Sequence, residues 1–337
     1  MVLFSGNRGT VESKNCVTKF TNVYYALING PTESGKNKQP PAGGRQVWMP
    51  WYVYALLTAL AVAGRDIYVK AGCRELSVEE VAGVEMAWSL PVFGAGLLLV
   101  PWPALDATFW WMLFWSFPVN ITAYFLYLYA IKISPITLTV PFLSFTPAFM
   151  LVTGLLVLGE RINLWGGAGI ACIIGGSYLL NIDTAKQGWL GPLKALFRER
   201  GSWCMLLVAF LYAFGAVLGK KGILHSSPLF FGFSFFLGFS LLILLGLAIS
   251  GRLRSGQLIG YKRQGLWLGG LLGVHVVSHN IAISLVTAAY MIAVKRCSIL
   301  FSVLAGGFYL REASFPARLA GTAAMFAGML LIILGGK

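Results

Sequence analysis

The chain has 337 residues, of which 57% are hydrophobic and only 11% are charged. A soluble domain carries about a quarter charged residues, so this composition excludes an ordinary water-soluble protein and indicates a membrane protein. The net charge of +14 does not indicate nucleic-acid binding, because the basic residues lie between apolar runs and match no DNA- or RNA-binding signature. The five cysteines are scattered along the chain, which predicts neither a disulfide framework nor a zinc site.

Residues 1–47 are polar, and the stretch 30–45 is rich in Gly, Pro and Lys, which predicts a disordered tail. Part of this tail, from Gly30 to Lys36, matches most of a phosphate-binding loop. Asn37 stands where the motif needs Ser or Thr as a magnesium ligand. We therefore predict no nucleotide site, and we expect no cofactor and no metal ion. We expect a chain that begins at Met49 to insert and transport normally.

Ten apolar runs follow the tail, and each is about as long as the 20 helical residues that cross a bilayer. The runs lie at 48–69, 81–101, 107–130, 134–158, 164–182, 203–221, 228–250, 266–285, 288–310 and 315–335. The longest break is basic and falls after the fifth run. We therefore predict a first five-helix repeat at 48–183, a basic linker at 184–202 and a second five-helix repeat at 203–335.

An internal repeat supports this division. The repeated motif residues are Glu160, Gly169 and Gly176 and, 152 positions later, Glu312, Gly321 and Gly328. A second match, Lys70–Gly72 with Lys220–Gly222, has an offset of 150. Because each repeat has an odd number of helices, the second enters the membrane from the opposite side. The sequence thus predicts an all-α fold of ten transmembrane helices in two inverted repeats, a common construction of secondary transporters.

Residues 134–180 and 295–335 each resemble the C-terminal half of an EamA domain, of the drug/metabolite transporter superfamily. The shared features are a Pro-rich fourth run, a Gly-Glu or Arg-Glu helix exit and a following Gly-x6-Gly. The second copy departs from the first by having Arg311 where the first has Gly159. The resemblance covers roughly 50–335 and implies ten helices, a central cavity and transport of small metabolites, but it does not fix the substrate.

Two basic residues lie inside the ninth run. Lys295 and Arg296 are about 10 Å from its start, at 1.5 Å per residue. An intramembrane charge is costly and by default functional. We expect Lys295 to face the cavity and Arg296 to snorkel toward the nearer interface; the alternative is that both serve packing or topology.

Other polar residues are candidates for the cavity lining. His275 and His279 are four residues apart and share one helix face. They either couple transport to protons or are two polar residues with satisfied hydrogen bonds at a helix contact. No third ligand is evident for a metal. The other candidates for substrate binding are Asn280, Asn120, Tyr212 and Trp88.

Five acidic or basic residues fit structural roles. Arg65, Asp66 and Glu85 lie near the opposite membrane side, where they predict an ion-pair cluster or a gate. Glu160 and Glu312 each precede a new helix, where a carboxylate can bind free backbone N–H groups at the positive helix end. We favour this capping role over a proton or substrate site.

These patterns favour a secondary carrier of a small metabolite, spanning the cell membrane many times, with no catalytic residues and with lipids as its other partner. The alternative is an intramembrane enzyme or a flippase that acts on a lipid-linked substrate. The dispersed depths of the polar candidates argue against an enzyme. The positive-inside rule places the termini outside the cell, whereas the resemblance implies termini inside, and both orientations stay open.

Overall fold

The structure, a computed structural model, describes residues 49–134, 139–179, 200–252, 255–301 and 315–336. These residues form helices and no strand, which confirms the all-α class. The predicted tail at 1–47, most of the predicted linker and the motif residue Glu312 lie outside the described residues.

The helices of the first half are α1 (Trp51–Gly72), α2 (Val78–Leu99), α3 (Ala107–Ile133), a 3-10 helix (Val140–Phe145) that leads into α4 (Thr146–Leu158), and α5 (Leu164–Leu179). Those of the second half are α6 (Arg200–Leu224), α7 (Pro228–Ile249), the short α8 (Ser255–Gly260), α9 (Lys262–Leu285), α10 (Ala288–Lys295) and α11 (Phe315–Gly335). Each of the ten predicted runs overlaps one of these helices.

Five helices, α1, α2, α6, α7 and α9, are long and apolar enough to cross a membrane. Shorter apolar helices lie at Phe142–Leu158, Leu164–Leu179 and Ala323–Gly335. The 27-residue α3 is longer than any of the five, but its Trp, Tyr and Asn residues lower its mean hydropathy. Ten spans in two inverted repeats therefore stay a prediction.

The sequence analysis predicted one helix over the fourth run, 134–158, but this segment is not one continuous α-helix. A 3-10 helix precedes α4, and Pro147 is the second residue of α4. Proline has no N–H to give, and its ring displaces the carbonyl four residues earlier, which breaks the α-helical ladder. The Thr146 hydroxyl donates to the Leu143 carbonyl at 2.7 Å, and so satisfies an acceptor that the break releases.

Short loops join most successive helices, so these run in alternating directions across the bundle. We call the side on which α1, α3 and α5 begin face A, and the opposite side face B. Side-chain caps define several helix starts. Ser77 and Glu80 form a capping box at α2 on face B, and Asp106 accepts from Phe109 N at α3 on face A.

The helices pair across the two halves: α5 with α11, α3 with α6, α1 with α9, and α2 with α7 and α9. The α5–α11 contact is built on glycines. A Cβ atom added to Gly169 would lie 2.7 Å from the Gly328 carbonyl oxygen, and one added to Gly176 would lie 2.7 Å from the Gly321 carbonyl oxygen. Only residues without a side chain allow the two backbones to approach so closely.

Candidate functional site

A central cavity lies among α1, α2, α3, α6, α7, α9 and α10. It holds about 1160 Å³ of space, counting the part that opens to solvent. Its lining runs from Ile223 and Ile283, close to face A, to Tyr127 and Leu143, closer to face B. A concave site with both apolar and polar lining suits a small ligand.

Lys295 lies where α10 ends and lines the cavity beside two histidines of α9. Its Nζ atom is 3.0 Å from His275 Nε2 and 3.5 Å from His279 Nδ1. The two imidazole rings have centroids 5.5 Å apart. Among the described residues, no carboxylate forms an ion pair with Lys295. The structure thus brings Lys295 together with the two histidines that the sequence analysis proposed for the cavity lining.

Arg296 also lines the cavity, so the expectation that it snorkels to the interface was wrong. It is only 4% exposed, and its guanidinium donates to the Thr146 hydroxyl at 2.7 Å. The N–H of Arg296 bonds to the carbonyls of Ile292 and Ala293, and that of Cys297 bonds to the carbonyl of Val294, so the helix tightens toward 3-10 spacing at this point. Both basic side chains lie at the end of α10 and line the same cavity.

A second group of charged residues lies on the face-B side of the cavity, and unlike Lys295 its members form ion pairs with each other. Arg65 of α1 binds Glu85 of α2 through two hydrogen bonds, of 2.5 Å and 2.7 Å. The Tyr124 hydroxyl donates to the same carboxylate at 2.5 Å. Asp66 lies beside Arg65, with 3.6 Å between the nearest nitrogen and oxygen. The three predicted ion-pair residues thus form one buried cluster, of which Arg65 lines the cavity.

The cavity lining carries four basic side chains and, among the described residues, no carboxylate. The basic residues are Arg65, Lys220, Lys295 and Arg296. The lining also contains an aromatic wall on α7, formed by Phe231, Phe235, Phe236 and Phe239. A cavity with these two surfaces favours a negatively charged ligand with an apolar part.

Three other predicted residues line the cavity. They are Asn280, Asn120 and Tyr212. The side-chain N–H of each asparagine donates to a carbonyl of its own helix, at 2.8 Å in each case. The second amide hydrogen and the amide oxygen of each asparagine, with the Tyr212 hydroxyl, supply neutral polar contacts for a ligand.

Trp88 does not reach the cavity. Its indole N–H donates to the Leu258 carbonyl in α8 at 2.9 Å, and its backbone packs closely on Gly269 of α9. A tryptophan in a transmembrane helix serves packing more often than binding, and in this case the glycine of the neighbouring helix leaves room for it.

Glu160 takes part in a three-way contact at face A. One carboxylate oxygen accepts from Lys220 of α6, and the other accepts from the backbone N–H of Ala288 at 2.9 Å. Lys220 also donates to the Val286 carbonyl at 2.5 Å. Glu160 therefore caps α10, and the prediction that it caps the helix that follows it was wrong. Asn163 does that for α5, by accepting from Gly166 N at 2.8 Å.

The aromatic wall and Lys220 were not among the predicted site residues. Phe231, Phe235 and Phe239 recur every four residues, a helical spacing that would have indicated one face of α7. Lys220 was noted only as part of the repeat. Its contact with Glu160 joins residues 60 positions apart, and no local pattern signals it.

Comparison with known proteins agrees with the resemblance stated above. Residues 49–182 match the EamA-like transporter family, a segment that coincides with the first predicted repeat. This confirms the resemblance over that segment, and with the apolar helices it identifies a multi-pass membrane protein. No curated protein sequence matches the chain.

One similar solved structure bears the name "Crystal structure of protein". It aligns with a TM-score of 0.62 and 15% identity, over 84% of this chain and 98% of the other. At this identity the similarity shows a shared fold, and its coverage includes both halves of the present chain.

Proposed function

We propose that this chain, which matches the EamA-like transporter family over residues 49–182, is a secondary carrier of small organic anions in the cell membrane. The carrying observation is the pair of adjacent basic residues in the cavity, Lys295 and Arg296, neither of which has a carboxylate partner among the described residues. A charge within the membrane needs water or a partner. The negative group of a substrate meets that need.

The chemistry of the two basic residues narrows the substrate. A guanidinium and an ammonium that converge on one space fit a carboxylate, a phosphate or a sulfonate. The Nε atom of Arg296 is buried and has no hydrogen-bond partner among the residues that the structure describes, so a donor is left for such a group. The aromatic wall of the same cavity fits the apolar part of such a molecule.

The contacts between the two halves support alternating access by inverted repeats. An exchange of the repeats takes Gly169 to Gly321 and Gly328 to Gly176. The Gly169–Gly328 contact then becomes the Gly321–Gly176 contact, and both are present. The helix pairs behave alike, since the α3–α6 pair becomes the α9–α1 pair.

The crossing direction of α5 and α11 adds to this support. The earlier glycine of each helix meets the later glycine of the other, so the two helices are antiparallel. A two-fold axis that relates antiparallel membrane helices lies in the membrane plane, as alternating access by inverted repeats requires.

Uptake into liposomes that contain the purified chain tests this proposal. A panel of organic anions, cations and neutral metabolites is offered, and the wild type is compared with Lys295→Met and Lys295→Arg. We expect uptake of one or more anions, strong loss in Lys295→Met and partial activity in Lys295→Arg, which keeps the charge but changes its geometry.

Lys221→Met is the matched control, because Lys221 lies in the last turn of α6 and does not line the cavity. Equal anion uptake by wild type and Lys295→Met would overturn the proposed anion site. Movement of a fluorescent lipid between leaflets, without uptake of any soluble anion, would favour a flippase in its place.

A further inference from the structure

The three side chains at the end of α10 constrain one another's protons. A lysine ammonium has three hydrogen-bond donors and no acceptor, and a doubly protonated imidazole also has donors only. Nζ of Lys295 is 3.0 Å from His275 Nε2 and 3.5 Å from His279 Nδ1. With Lys295 charged, the ring nitrogen that faces it on each histidine must accept. Each histidine is then neutral, with its proton on the other nitrogen.

Both basic and acidic groups lie on the elements packed around Lys295, His275 and His279. The other titratable or charged groups of the packed elements are Arg65 and Asp66 on α1, Glu85 on α2, Tyr124 and Tyr127 on α3, Tyr212 and Lys220 on α6, and Arg296 after α10. The aromatic wall of α7 contributes no titratable group, and Phe236 packs against His275 at 6.4 Å between ring centroids.

The acids among these groups do not pair with Lys295. Glu85 accepts hydrogen bonds from Arg65 and Tyr124. Asp66 lies 3.6 Å from Arg65, and its Oδ1 atom has no hydrogen-bond partner among the described residues. Glu160, which is farther toward face A, binds Lys220 and the start of α10. Among the described residues, no carboxylate therefore forms an ion pair with Lys295.

An anion in the cavity changes this balance. Its charge offsets that of Lys295, and its oxygen atoms replace a histidine nitrogen as hydrogen-bond acceptor for the ammonium. A histidine so released can take a proton and donate to the same anion. Proton binding and anion binding then strengthen each other by the same factor, since linkage between two sites is reciprocal.

We propose that Lys295, His275 and His279 form the proton-coupling site of the carrier, which binds a proton together with the anion and so works as an anion–proton symporter. This inference rests on the proposed function. One proton leaves water on the side where the anion enters and forms an N–H bond on a histidine of the cluster. On the other side the anion departs, the N–H bond breaks and the proton returns to water.

The test uses the full chain in liposomes that enclose a pH-sensitive dye, with the membrane potential held at zero by potassium and valinomycin. Inorganic phosphate, phenyl phosphate and benzenesulfonate are added outside in turn, and their uptake is measured by mass or isotope. Benzenesulfonate keeps a single charge throughout, so any effect of pH on its uptake belongs to the protein. We expect every transported probe to acidify the lumen and to enter faster at lower external pH.

The His275→Gln/His279→Gln variant identifies the cluster. We expect its ratio of protons to anions to fall toward zero, whatever its rate of uptake. The single change His279→Gln, which keeps the shorter contact to Lys295, is expected to give an intermediate ratio. His225→Gln is the matched control, because His225 lies at face A beside Asp106 and does not line the cavity. Its ratio should equal that of the wild type.

The outcomes separate the two proposals. If none of the three probes enters faster than into protein-free liposomes, the proposed anion transport is overturned. If a probe enters without acidification and without dependence on pH, the anion carrier stands and the symport is overturned. An unchanged proton-to-anion ratio in both the double and the single variant would also overturn the assignment to these histidines.

Discussion

The two charged regions of the membrane interior differ in how their charges are satisfied. Arg65 and Glu85 satisfy each other through two hydrogen bonds, with Tyr124 as a third partner. Within the described part of the chain, Lys295 has only histidines within hydrogen-bond distance. A buried charge with a fixed partner is part of the packing, whereas one that faces a cavity without an opposite charge awaits a ligand. The first region should therefore determine stability and the second should determine transport.

The same contrast separates the two membrane faces. At face B, Lys70 donates to the carbonyls of Ile131 and Ser134 at the end of α3, and Lys132 donates to those of Cys73 and Leu76 after α1. Each lysine thus caps the neighbouring helix, where the carbonyls carry negative partial charge.

Lys220 at face A occupies the position equivalent to Lys70, but it pairs with Glu160 and lines the cavity. Face B is fastened by cross-capped helix ends, and at face A a charged pair lies at the edge of the cavity.

The largest expected effect is on stability and follows from the paired region. Glu85→Leu removes both hydrogen bonds between Arg65 and a carboxylate and leaves Asp66, at 3.6 Å, as its remaining acidic partner; breaking a buried pair in this way typically costs about 3–5 kcal/mol. We expect the variant to lose most of its folded fraction in detergent, measured by size-exclusion chromatography and by the midpoint of thermal unfolding.

The triple variant Arg65→Leu/Asp66→Leu/Glu85→Leu is the control for this effect, because it leaves neither Arg65 nor Asp66 as an unpaired buried charge. Replacement of a buried ion pair by apolar residues is often neutral or stabilising, so we expect it to recover most of the lost stability. A Glu85→Leu variant as stable as the wild type would remove the basis for the contrast between the two regions.

At Lys295 we expect the opposite result, with an effect on transport and not on stability. Lys295→Met removes a buried charge without a carboxylate partner, so we expect unchanged or higher thermal stability. Anion uptake should fall tenfold to more than a hundredfold, because a hydrogen bond to a charged group contributes about 1.5–3 kcal/mol. The two measurements are made on one preparation at equal protein density. A large loss of stability in Lys295→Met would assign this lysine to the packing instead.

A change remote from both charged regions calibrates the damage that packing alone causes. Gly169→Ala places a Cβ atom 2.7 Å from the Gly328 carbonyl oxygen, and overpacking of this kind typically costs about 1–3 kcal/mol. Gly175→Ala on the same helix meets nothing within 4 Å and is its control. We expect a lower unfolding midpoint only for Gly169→Ala, and equal midpoints for the two would show that α5 and α11 do not depend on this contact.

The order of the helices and the depth of the site follow from the sequence, because both depend on local patterns. Apolar runs of bilayer length locate the helices. A basic residue within such a run marks Lys295, and counting from helix ends places His279 at the same depth. The glycines of the repeat are visible for a similar reason, since their spacing is a fixed number of helical turns.

The partners of these residues could not be predicted, because they come from distant helices. Glu160 lies before α5 in sequence but caps α10, 128 residues away. Arg296 donates to the hydroxyl of Thr146, 150 residues away. Trp88 fits against Gly269 only once α2 and α9 are packed. Each of these features depends on tertiary packing, which no periodicity in one sequence encodes.

The smallest expected effect concerns the contact between Asp106 and His225, which is exposed to water at face A. Asp106 caps α3 by accepting from Phe109 N at 2.9 Å, and its other oxygen lies 2.6 Å from His225 Nδ1. The hydrogen bond from the Phe109 backbone, and then the contact with His225, hold the pKa of Asp106 below its ordinary value of 3.8.

Because the folded pKa lies below the unfolded one, the stability that this carboxylate contributes is present above pH 3.8 and is lost as the pH falls through the folded value. Asn is also a good N-cap and does not titrate, so the unfolding midpoint of Asp106→Asn should fall less over this acidic range than that of the wild type. His225→Gln should change the midpoint little at neutral pH, since an exposed ion pair competes with water. The midpoints of all three proteins are measured across the acidic range by thermal unfolding in detergent. If Asp106→Asn follows the wild-type curve throughout, the charge of Asp106 contributes nothing to the stability of the fold. An exposed carboxylate would then differ in this respect from the buried partner of Arg65.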